Sequence, residues 1–538
     1  MHTYSNLGPR TTVTPQTEAI PGTMQTPNNA GGFSWSVDDW TRLSRFLCLG
    51  SIGGTYYVGE RQLSKQNLDV VERLLKAGEG TKVVEKIVEI SDAGRAVSND
   101  PALFALARCT SADDVAVRRL ALAALPKVAR TGTHLLHFVH FCKQFRGWGP
   151  VYKRAVADWF QSKDASQLAY QVVKYQQRDG YAQRDLLRLS HPKAIDQEHQ
   201  ALYHWMTKGW DALPDSVPAE AAMRLVWAFE RAKRKEDAEE IAELIHLYRM
   251  PREAVPTTAL HSIKVWEALL EEMPMEAMTR NLATMTKHGV LVPMGAMTTK
   301  VIGRLRSQEA IQKARLHPIK LLAALTTYSS GKSVRGDSTW TPLREIIDAL
   351  NDAFYLAFAN VIPTGKRILI AVDVSGSMHN TLLNGIPGMQ CHTAAGALAM
   401  VIARTEQNWH VMAFDERPHA LTISPTQRLD DVVRTITSAG NGGTDCAVPF
   451  AYAIQQNLDV DAILTISDSE SWFGKGGHPT QILTQYRQKV GHTVRAINIQ
   501  MTATHVTNND PNDADALECI GFDTNVPDVI HSFLVGNI

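Results

Sequence analysis

The chain has 538 residues, which is too long for one hydrophobic core, so we predict two or more domains. With 44% hydrophobic and 20% charged residues, the composition is that of a folded globular protein and argues against a disordered or fibrous chain. The net charge is zero but unevenly divided: from Lys366 onward 10 Lys and Arg face 17 Asp and Glu, so the first 365 residues carry +7, an asymmetry typical of a polyanion-binding half.

Cysteine usage and the lack of long apolar runs predict a cytoplasmic protein. No apolar run approaches the roughly 18 residues that cross a bilayer, so we expect no membrane association. The first 33 residues are rich in Thr, Pro, Gly and Asn, lack the features of a signal peptide, and predict a flexible leader. The cysteines are scattered without a C-x-x-C pair, as expected for free thiols in a reducing compartment: Cys48, Cys109, Cys142, Cys391, Cys446 and Cys519.

Residues 34–362 follow a helical pattern. Segments such as "PALFALARC", "THLLHFVHFCKQF" and "AAMRLVWAFERAKRKEDAEEIAELIHLY" place apolar residues at i, i+3 and i+4. Pro and Gly separate these segments, which indicates many short helices joined by brief turns. We therefore predict stacked helix pairs, an α-solenoid built from units of about 40 residues.

A basic cluster lies within this helical part. Between Lys143 and Lys193 there are 10 Lys and Arg against 4 Asp and Glu, interleaved with tyrosines that could stack on unpaired bases. If "AYQVVKYQQR" is helical, Lys174 and Arg178 lie one turn apart on one face. The alternative is a solvated helix face on which acidic residues offset the cations.

The next segment, "AQRDLLRLSH", extends this pattern. As a helix it would place Arg184, Arg188 and His191 at i, i+4 and i+7, on one face, ending before Pro192. Together with Lys174 and Arg178, these three residues make up the cationic set, our candidate RNA contacts.

From residue 363 to 538 the pattern changes to strands alternating with helices. The apolar runs "RILIAVDV", "WHVMAF", "DAILTIS" and "TVRAINI" are separated by helix-length segments such as "TAAGALAMVIARTE" and "PTQILTQYRQKV". This alternation predicts a Rossmann-like parallel sheet covered on both faces, with ligands at the carboxyl ends of its strands.

Oxygen-bearing side chains gather at those strand ends. Asp373, Ser375 and Ser377 stand at alternate positions after the first strand, Thr444 lies in the glycine-rich "GNGGTDC", and Asp468 follows a later strand in "TISDSE". Hard oxygen ligands without nitrogen or sulfur favour Mg²⁺, with Mn²⁺ or Ca²⁺ as alternatives. We call these five residues the ion site.

The serines have two other interpretations. A serine nucleophile usually stands in a G-x-S-x-G turn, but here Asp373 and Ser377 occupy the glycine positions. Alternatively, the hydroxyls only cap the turn and the helix that follows. The ion site is favoured over both because three separate segments supply its ligands.

Two family resemblances follow from these motifs. The D-x-S-x-S sequence, with its later Thr and Asp, resembles the metal-ion-dependent adhesion site of von Willebrand factor A modules, in which the ion binds an acidic group of a partner and does no chemistry. The segments "RFLCLGSIGGTYYVGE", "RDLLRLSHPK", "ARLHPIKLLAAL" and "PTGKRILIAVDVSGSM" are similar to the Ro 60-kDa autoantigen family, whose helical half is called the TROVE module.

The second resemblance implies a ring of HEAT-like repeats closed by residues 363–538, which we call the A-type domain. Family members bind Y RNAs on the outer surface and take single-stranded ends of misfolded or decaying RNAs into the hole; bacterial members associate with 3′ exoribonucleases, of which polynucleotide phosphorylase is a candidate partner. The resemblance carries over Lys174, Arg178 and His191 as Y-RNA contacts, whereas Arg184 and Arg188 rest on helical geometry alone. It also implies a monomer.

We therefore predict a non-enzymatic RNA-binding protein that acts in noncoding-RNA quality control or decay. The main alternative is a metal-dependent scaffold whose A-type domain holds an acidic protein partner, with RNA incidental. A serine hydrolase is a third and less favoured interpretation.

Overall fold

A computed structural model describes residues 13–23, 25–27, 31–35, 39–49, 69–92, 99–333, 337–383, 386, 388–468, 476–502, 508–510, 512–520, 522, 524 and 526–536. The described residues of 43–49 and 69–301 form one compact unit, the helical unit. Those of 13–42 and 302–536 form a second, the C-terminal unit. Two segments of interest, residues 1–12 of the predicted leader and most of "RFLCLGSIGGTYYVGE", lie outside the described residues.

The described ranges between residues 39 and 305 consist mainly of short helices, as their apolar periodicity predicts. In chain order these are α1 (Asp39–Leu49), α2 (residues 69–76), α3 (Gly80–Asp92), α4 (Asp100–Cys109), α5 (Val115–Ala123), α6 (Leu125–Val128), α7 (Gly132–Cys142), α8 (Pro150–Gln161), α9 (Ala165–Lys174), α10 (Gln183–Ser190), α11 (Gln197–Lys208), α12 (Ala221–Lys233), α13 (Ala238–Tyr248), α14 (Ile263–Glu272), α15 (Met275–Lys287) and α16 (Ala296–Leu305). Short 3-10 turns at Arg252–Ala254 and Ala259–His261 precede α14.

Local capping defines many of these helices. The side chains of Asp114, Thr131 and Asp164 accept hydrogen bonds from the first turns of α5, α7 and α9, so each helix begins where the sequence supplies a cap. Neighbouring helices pack through buried aromatic and aliphatic residues, with Trp159 and Trp266 fully enclosed. The predicted helical class of this half is therefore confirmed.

The C-terminal unit contains a six-stranded sheet in the order β10-β9-β8-β5-β6-β7. Its strands are β5 (Ile368–Asp373), β6 (Trp409–Phe414), β7 (Pro418–Ala420), β8 (Ala462–Ser467), β9 (Arg495–Gln500) and β10 (Ala516–Ile520). All neighbours are parallel except β7, an antiparallel edge strand. Every residue of β5 and β8 is buried, which explains why these strands read as continuous apolar runs.

The helices of this unit are α17 (Gln308–Ala314), α18 (Pro318–Ser329), α19 (Arg344–Leu356), α20 (Gly376–Asn380), α21 (Cys391–Thr405), α22 (Leu429–Thr437), α23 (Val448–Gln455), α24 (Pro479–Val490) and α25 (Val526–Val535), with a 3-10 turn at Ala357–Asn360. The four strands and two helices predicted from the sequence are confirmed, and with them the α/β class; β7 and β10 are additional.

Helix α19 and the turn after it pack on the A-type domain. The Arg404 guanidinium carbon lies 4.9 Å from the ring centroid of Tyr355 and 4.7 Å from that of Phe358. The Tyr355 hydroxyl accepts a hydrogen bond of 2.9 Å from the Leu429 backbone. The C-terminal part of this compact unit thus begins near residue 302, whereas the sequence placed a boundary after residue 362. The predicted domain limits stay a prediction.

Two small antiparallel strand pairs, one of them a hairpin at residues 177–182, were not predicted from the sequence. The first pairs β1 (Gln25–Pro27) with β2 (Phe33–Trp35), and the second pairs β3 (Gln177–Arg178) with β4 (Tyr181–Ala182). The first lies at the end of the predicted leader, and the part of the leader before it, residues 13–18, hydrogen-bonds to Asp445, His478 and Gln481 within the C-terminal unit.

Two further predictions concern thiols and membranes. Five of the six cysteines lie among the described side chains, and all five are buried thiols outside any disulfide between described residues: Cys109, Cys142, Cys391, Cys446 and Cys519. Over the described ranges, we find no helix with the length and apolarity that a bilayer crossing requires.

Candidate functional site

The ion site lies at the carboxyl ends of the adjacent strands β5 and β8. Asp373 ends β5 and is fully buried; its carboxylate accepts hydrogen bonds from the Ser375 backbone N–H at 2.7 Å and from the Ser467 hydroxyl at 2.6 Å. Asp468 directly follows β8 and accepts a 3.0 Å hydrogen bond from the Ser377 hydroxyl. The hydroxyl oxygens of Ser375 and Ser377 are 3.3 Å apart. The sequence motif therefore folds into one connected polar cluster.

The Thr444 loop meets this cluster through the backbone. The Gly376 N–H donates to the carbonyl of Gly442 at 3.2 Å. A Cβ on Gly376 would lie 3.0 Å from Oδ1 of Asn441, so the close approach of the two loops favours glycine there. Thr444 itself is buried, with 2% of its surface exposed. All three predicted segments are thus brought together.

The electrostatics of the cluster suit a cation. Burial, and secondarily the charge of Asp468, raise the pKa of Asp373 to about 7. Two buried carboxylates this close repel each other, and a divalent cation would offset that repulsion. No group of three or more His, Cys, Asp and Glu with metal-binding geometry occurs in the part of the chain that the structure describes. The ion site differs in composition, since three of its five predicted ligands are hydroxyls.

The cationic set departs from its predicted geometry at Arg178. Helix α9 ends at Lys174, and Arg178 lies on β3, so these two residues do not share a helix face. The cause is the turn Asp179–Gly180, whose φ angles of 51° and 81° reverse the chain as a two-residue hairpin. The helical prediction for residues 175–178 was therefore wrong, because a strong turn dipeptide overrides the apolar periodicity before it.

The second half of the set is only partly helical. Helix α10 covers Gln183–Ser190 and places Arg184 and Arg188 one turn apart, as predicted. His191 caps the helix with a left-handed φ of 49°, so its predicted position at i+7 on the same helix face was wrong. Arg178, Arg184, Arg188 and His191 are exposed, and Lys174 is partly buried.

Several of these cations are held in place by their surroundings. The Lys174 ammonium lies 5.3 Å and 5.4 Å from the ring centroids of Tyr170 and Tyr175, and Arg188 donates to the carbonyl of Thr207. The ordering cost of binding an anion is lower for a side chain that is already confined.

The hairpin that carries Arg178 is anchored on α7. His137 on α7 forms a 3.0 Å hydrogen bond with Asp100, and its other ring nitrogen lies 3.6 Å from the carboxylate of Asp179 in the hairpin turn. The Asp100 hydrogen bond raises the pKa of His137 and lowers that of Asp100. Of the three histidines spaced three apart, 134, 137 and 140, His137 therefore has a structural role, since it links α7 to the hairpin turn.

Sequence reasoning missed two residues near the ion site. Ser467 donates to Asp373, and Asp445, beside Thr444, is buried with 2% of its surface exposed. Burial raises the pKa of Asp445 to about 7. Both residues directly precede or follow a predicted ligand, and that adjacency was the available signal.

Comparison with known proteins gives matches along nearly the whole chain. A family model described as "TROVE domain" matches residues 26–327, and one described as "Ro60 vWA domain" matches residues 367–534. A Deinococcus radiodurans protein named "RNA-binding protein RO60" is 38% identical over 97% of this chain and 98% of its own length. A Caenorhabditis elegans protein of the same name is 32% identical over 96% of this chain and 90% of its own.

A solved structure shares the fold. The crystal structure of the Deinococcus radiodurans RO (RSR) protein superposes with a TM-score of 0.77 at 38% identity, covering 93% of this chain and all of that chain. The order of helical half and A-type domain predicted from the sequence is the order of the two family models.

Proposed function

Since this chain belongs to the Ro60 family, we propose that it is an RNA-binding protein whose helical unit supplies the RNA contacts. The observation that carries the proposal is its similarity, along nearly its full length, to two proteins named for RNA binding. The exposed cations of the cationic set support it, because phosphate contacts from Lys and Arg provide most of the affinity for RNA.

We further propose that the RNA is of two kinds. A small structured Y-like RNA would bind the cationic set, and single-stranded 3′ ends of misfolded or decaying RNAs would enter the cavity of a ring. The protein would then act in noncoding-RNA quality control or decay, as a cytoplasmic monomer, with a 3′ exoribonuclease such as polynucleotide phosphorylase as a partner. The support for these details is the family resemblance.

Binding titrations across salt test the RNA proposal. One RNA is a hairpin with a single-stranded 3′ tail, and the other is the same hairpin trimmed blunt. We expect the tailed RNA to bind more tightly, with an affinity that falls by about 10³-fold or more between roughly 50 and 200 mM salt if six or more phosphates are contacted. Failure of both RNAs to bind at physiological salt would overturn the proposal.

A second function is favoured by the buried carboxylates of the A-type domain. We propose that Asp373, Ser375, Ser377, Thr444 and Asp468 hold a divalent cation, Mg²⁺ first, with Mn²⁺ or Ca²⁺ as alternatives. The ion would supply a positive charge to which an acidic group of a protein partner can bind. In that case a pull-down of the partner should require Mg²⁺ and survive nuclease treatment; capture that nuclease abolishes would mean that RNA bridges the two proteins.

We propose no catalytic activity for this site. The Ser377 hydroxyl donates to the carboxylate of Asp468 and lies beside the Ser375 hydroxyl, whereas the base that activates a serine nucleophile is ordinarily a nitrogen base such as His. A serine-directed fluorophosphonate probe should leave the protein unlabelled, and labelling at either serine would favour a hydrolase instead.

A further inference from the structure

The N-terminal segment, residues 13–20, packs beside the loop that carries Thr444. Val13 is partly buried against an apolar cluster that includes Phe450 and Ile482. Gly477 has a φ of 106°, and a Cβ there would lie 2.8 Å from Cβ of Val13. Glycine at position 477 lets Val13 approach the domain closely, so the contact depends on residues of both the segment and the domain.

On either side of Gln16, a backbone group of the segment forms a hydrogen bond with a side chain of the A-type domain. The Thr14 N–H donates to Oε1 of Gln481 at 3.0 Å. On the other side, Nε2 of His478 donates to the carbonyl of Glu18 at 2.8 Å, and His478 is 2% exposed. Because both partners flank the start of α24, the segment is held at one end of the A-type domain and Gln16 is directed inward.

Gln16 contacts a buried carboxylate next to an ion-site ligand. Its amide nitrogen donates to Oδ1 of Asp445 at 2.6 Å and to the carbonyl of Gly477 at 3.2 Å, and the side chain is 2% exposed. The same Asp445 oxygen accepts a 3.0 Å hydrogen bond from the Ala447 N–H. The contact joins residues 429 positions apart.

The loop that Gln16 reaches is fixed from a second direction. The Asp445 N–H donates to the carbonyl of Asp415 at 3.2 Å, and the carboxylate of Asp415 accepts a 3.2 Å hydrogen bond from the Gly442 N–H. Residues 442–445 are therefore held between Asp415 on one side and the N-terminal segment on the other. Thr444 lies inside that span.

We propose that Gln16 is a positioning residue for the ion site, which holds the Thr444 loop in place through Asp445. The inference rests on the proposed cation binding. Groups that orient metal ligands from outside the coordination shell commonly change metal affinity by about 10- to 100-fold. The N-terminal segment precedes both matched family domains, and it would thus contribute to ion binding by the A-type domain.

The test is a Mn²⁺ titration of the full chain by calorimetry, with Mn²⁺ as the probe. Gln16→Ala should raise the Mn²⁺ Kd by about 10-fold. Gln16→Glu has the same shape but replaces the amide donor with an acceptor, so at about pH 8 it should raise the Kd at least as much. A role in packing alone would leave the Gln16→Glu value unchanged. Thr17→Ala, an exposed neighbour, is the matched control and should bind as the wild type does.

Asp373→Asn separates the two proposals. If the wild type does not bind Mn²⁺, or Asp373→Asn binds it equally well, the ion site itself is refuted. If Asp373→Asn loses the ion while both Gln16 variants bind as tightly as the wild type, the positioning role is refuted and the ion site stands. Thermal unfolding in EDTA identifies the folded variants, and one folded Gln16 variant suffices for the decision.

Discussion

The ion site and the cationic set differ in how their polar groups meet water. In the ion site, Asp373, Asp468 and Thr444 are almost completely buried and hydroxyl and amide donors bind the two carboxylates. In the cationic set, most side chains are exposed and project from a hairpin, a helix and a helix cap. A buried polar group must find a partner, so the spacing of ion-site residues is tightly constrained, whereas an exposed cation can come from any element.

The largest expected effect tests the buried side of this comparison. Asp373→Asn should weaken Mn²⁺ binding by more than about 100-fold, because a direct ligand carries more of the affinity than the outer-shell groups do. In EDTA the same variant should unfold at a higher temperature than the wild type, because it removes a buried charge that lies near Asp468. Calorimetry and thermal unfolding measure the two effects.

The RNA affinity of Asp373→Asn is the control for the division of roles. It should equal that of the wild type in the salt titration, since the cationic set lies in the helical unit. Loss of RNA affinity in a folded variant would contradict the separation of the two functions.

The exposed side is tested by a triple variant, Lys174→Ala, Arg178→Ala and His191→Ala. We expect RNA affinity to fall by about 10- to 100-fold and the slope of log affinity against log salt to decrease by about 2, one each for Lys174 and Arg178. The matched control is Arg224→Ala with Arg280→Ala, which removes the same number of Lys and Arg charges, two, from exposed positions elsewhere in the helical unit. Equal losses in the two variants would mean that only net charge matters.

Proton competition should separate the two sites at neutral pH. The pKa of Asp373 is raised to about 7, so below that pH Mn²⁺ must displace a proton. We expect the Mn²⁺ Kd to rise by about 10-fold between roughly pH 7.5 and 6. RNA affinity through Lys and Arg should change little over that range, and a parallel change in both would break the contrast.

The raised pKa of Asp373 also makes the stability of the ion-free protein depend on pH. Whereas Mn²⁺ affinity should increase as pH rises, the free energy of unfolding should decrease. Because the folded pKa of Asp373 lies above the unfolded value, the folded state binds more protons between roughly pH 4 and 7. Stability in EDTA should therefore fall as pH rises through that window. Asp373→Asn should have a smaller pH dependence when unfolding is followed at several pH values.

The smallest expected effect concerns the hairpin. Gly180→Ala places a side chain at a φ of 81°, with open space around it, so the cost of about 1 kcal/mol in unfolding free energy comes from the backbone alone. RNA affinity should fall about two- to threefold as Arg178 moves. Gly303→Ala, in helix α16 and equally free of contacts, should instead stabilise the protein by about 0.5 kcal/mol.

Much of the fold could be predicted from the sequence because burial determines apolar patterns. Strands β5 and β8 are buried along their whole length and read as apolar runs. In contrast, β7 is three residues long and partly exposed, and β10 contains the buried Glu518 in an otherwise apolar strand. Neither carries the signal of an interior strand.

The ion site was predictable to the extent that its contacts are local or motif-based. Asp373, Ser375 and Ser377 are neighbours in the chain, but the donation from Ser467 joins residues 94 positions apart. That contact depends on the pairing of β5 with β8, which no spacing in the sequence encodes. The hairpin at Asp179–Gly180 is encoded by its turn dipeptide, which outweighs the helical periodicity of the residues before it.

The packing of α19 on the A-type domain determines where a fragment of the chain must begin if it is to fold when expressed by itself. A fragment starting at residue 363 would remove Tyr355 and Phe358 from Arg404 and leave the Leu429 N–H without its tyrosine acceptor. The apolar face so uncovered would invite aggregation. A C-terminal fragment that keeps these contacts must begin near residue 302, and because the described residues of 13–42 belong to the same compact unit, expressing the sheet with all of its packing partners requires both parts of the chain.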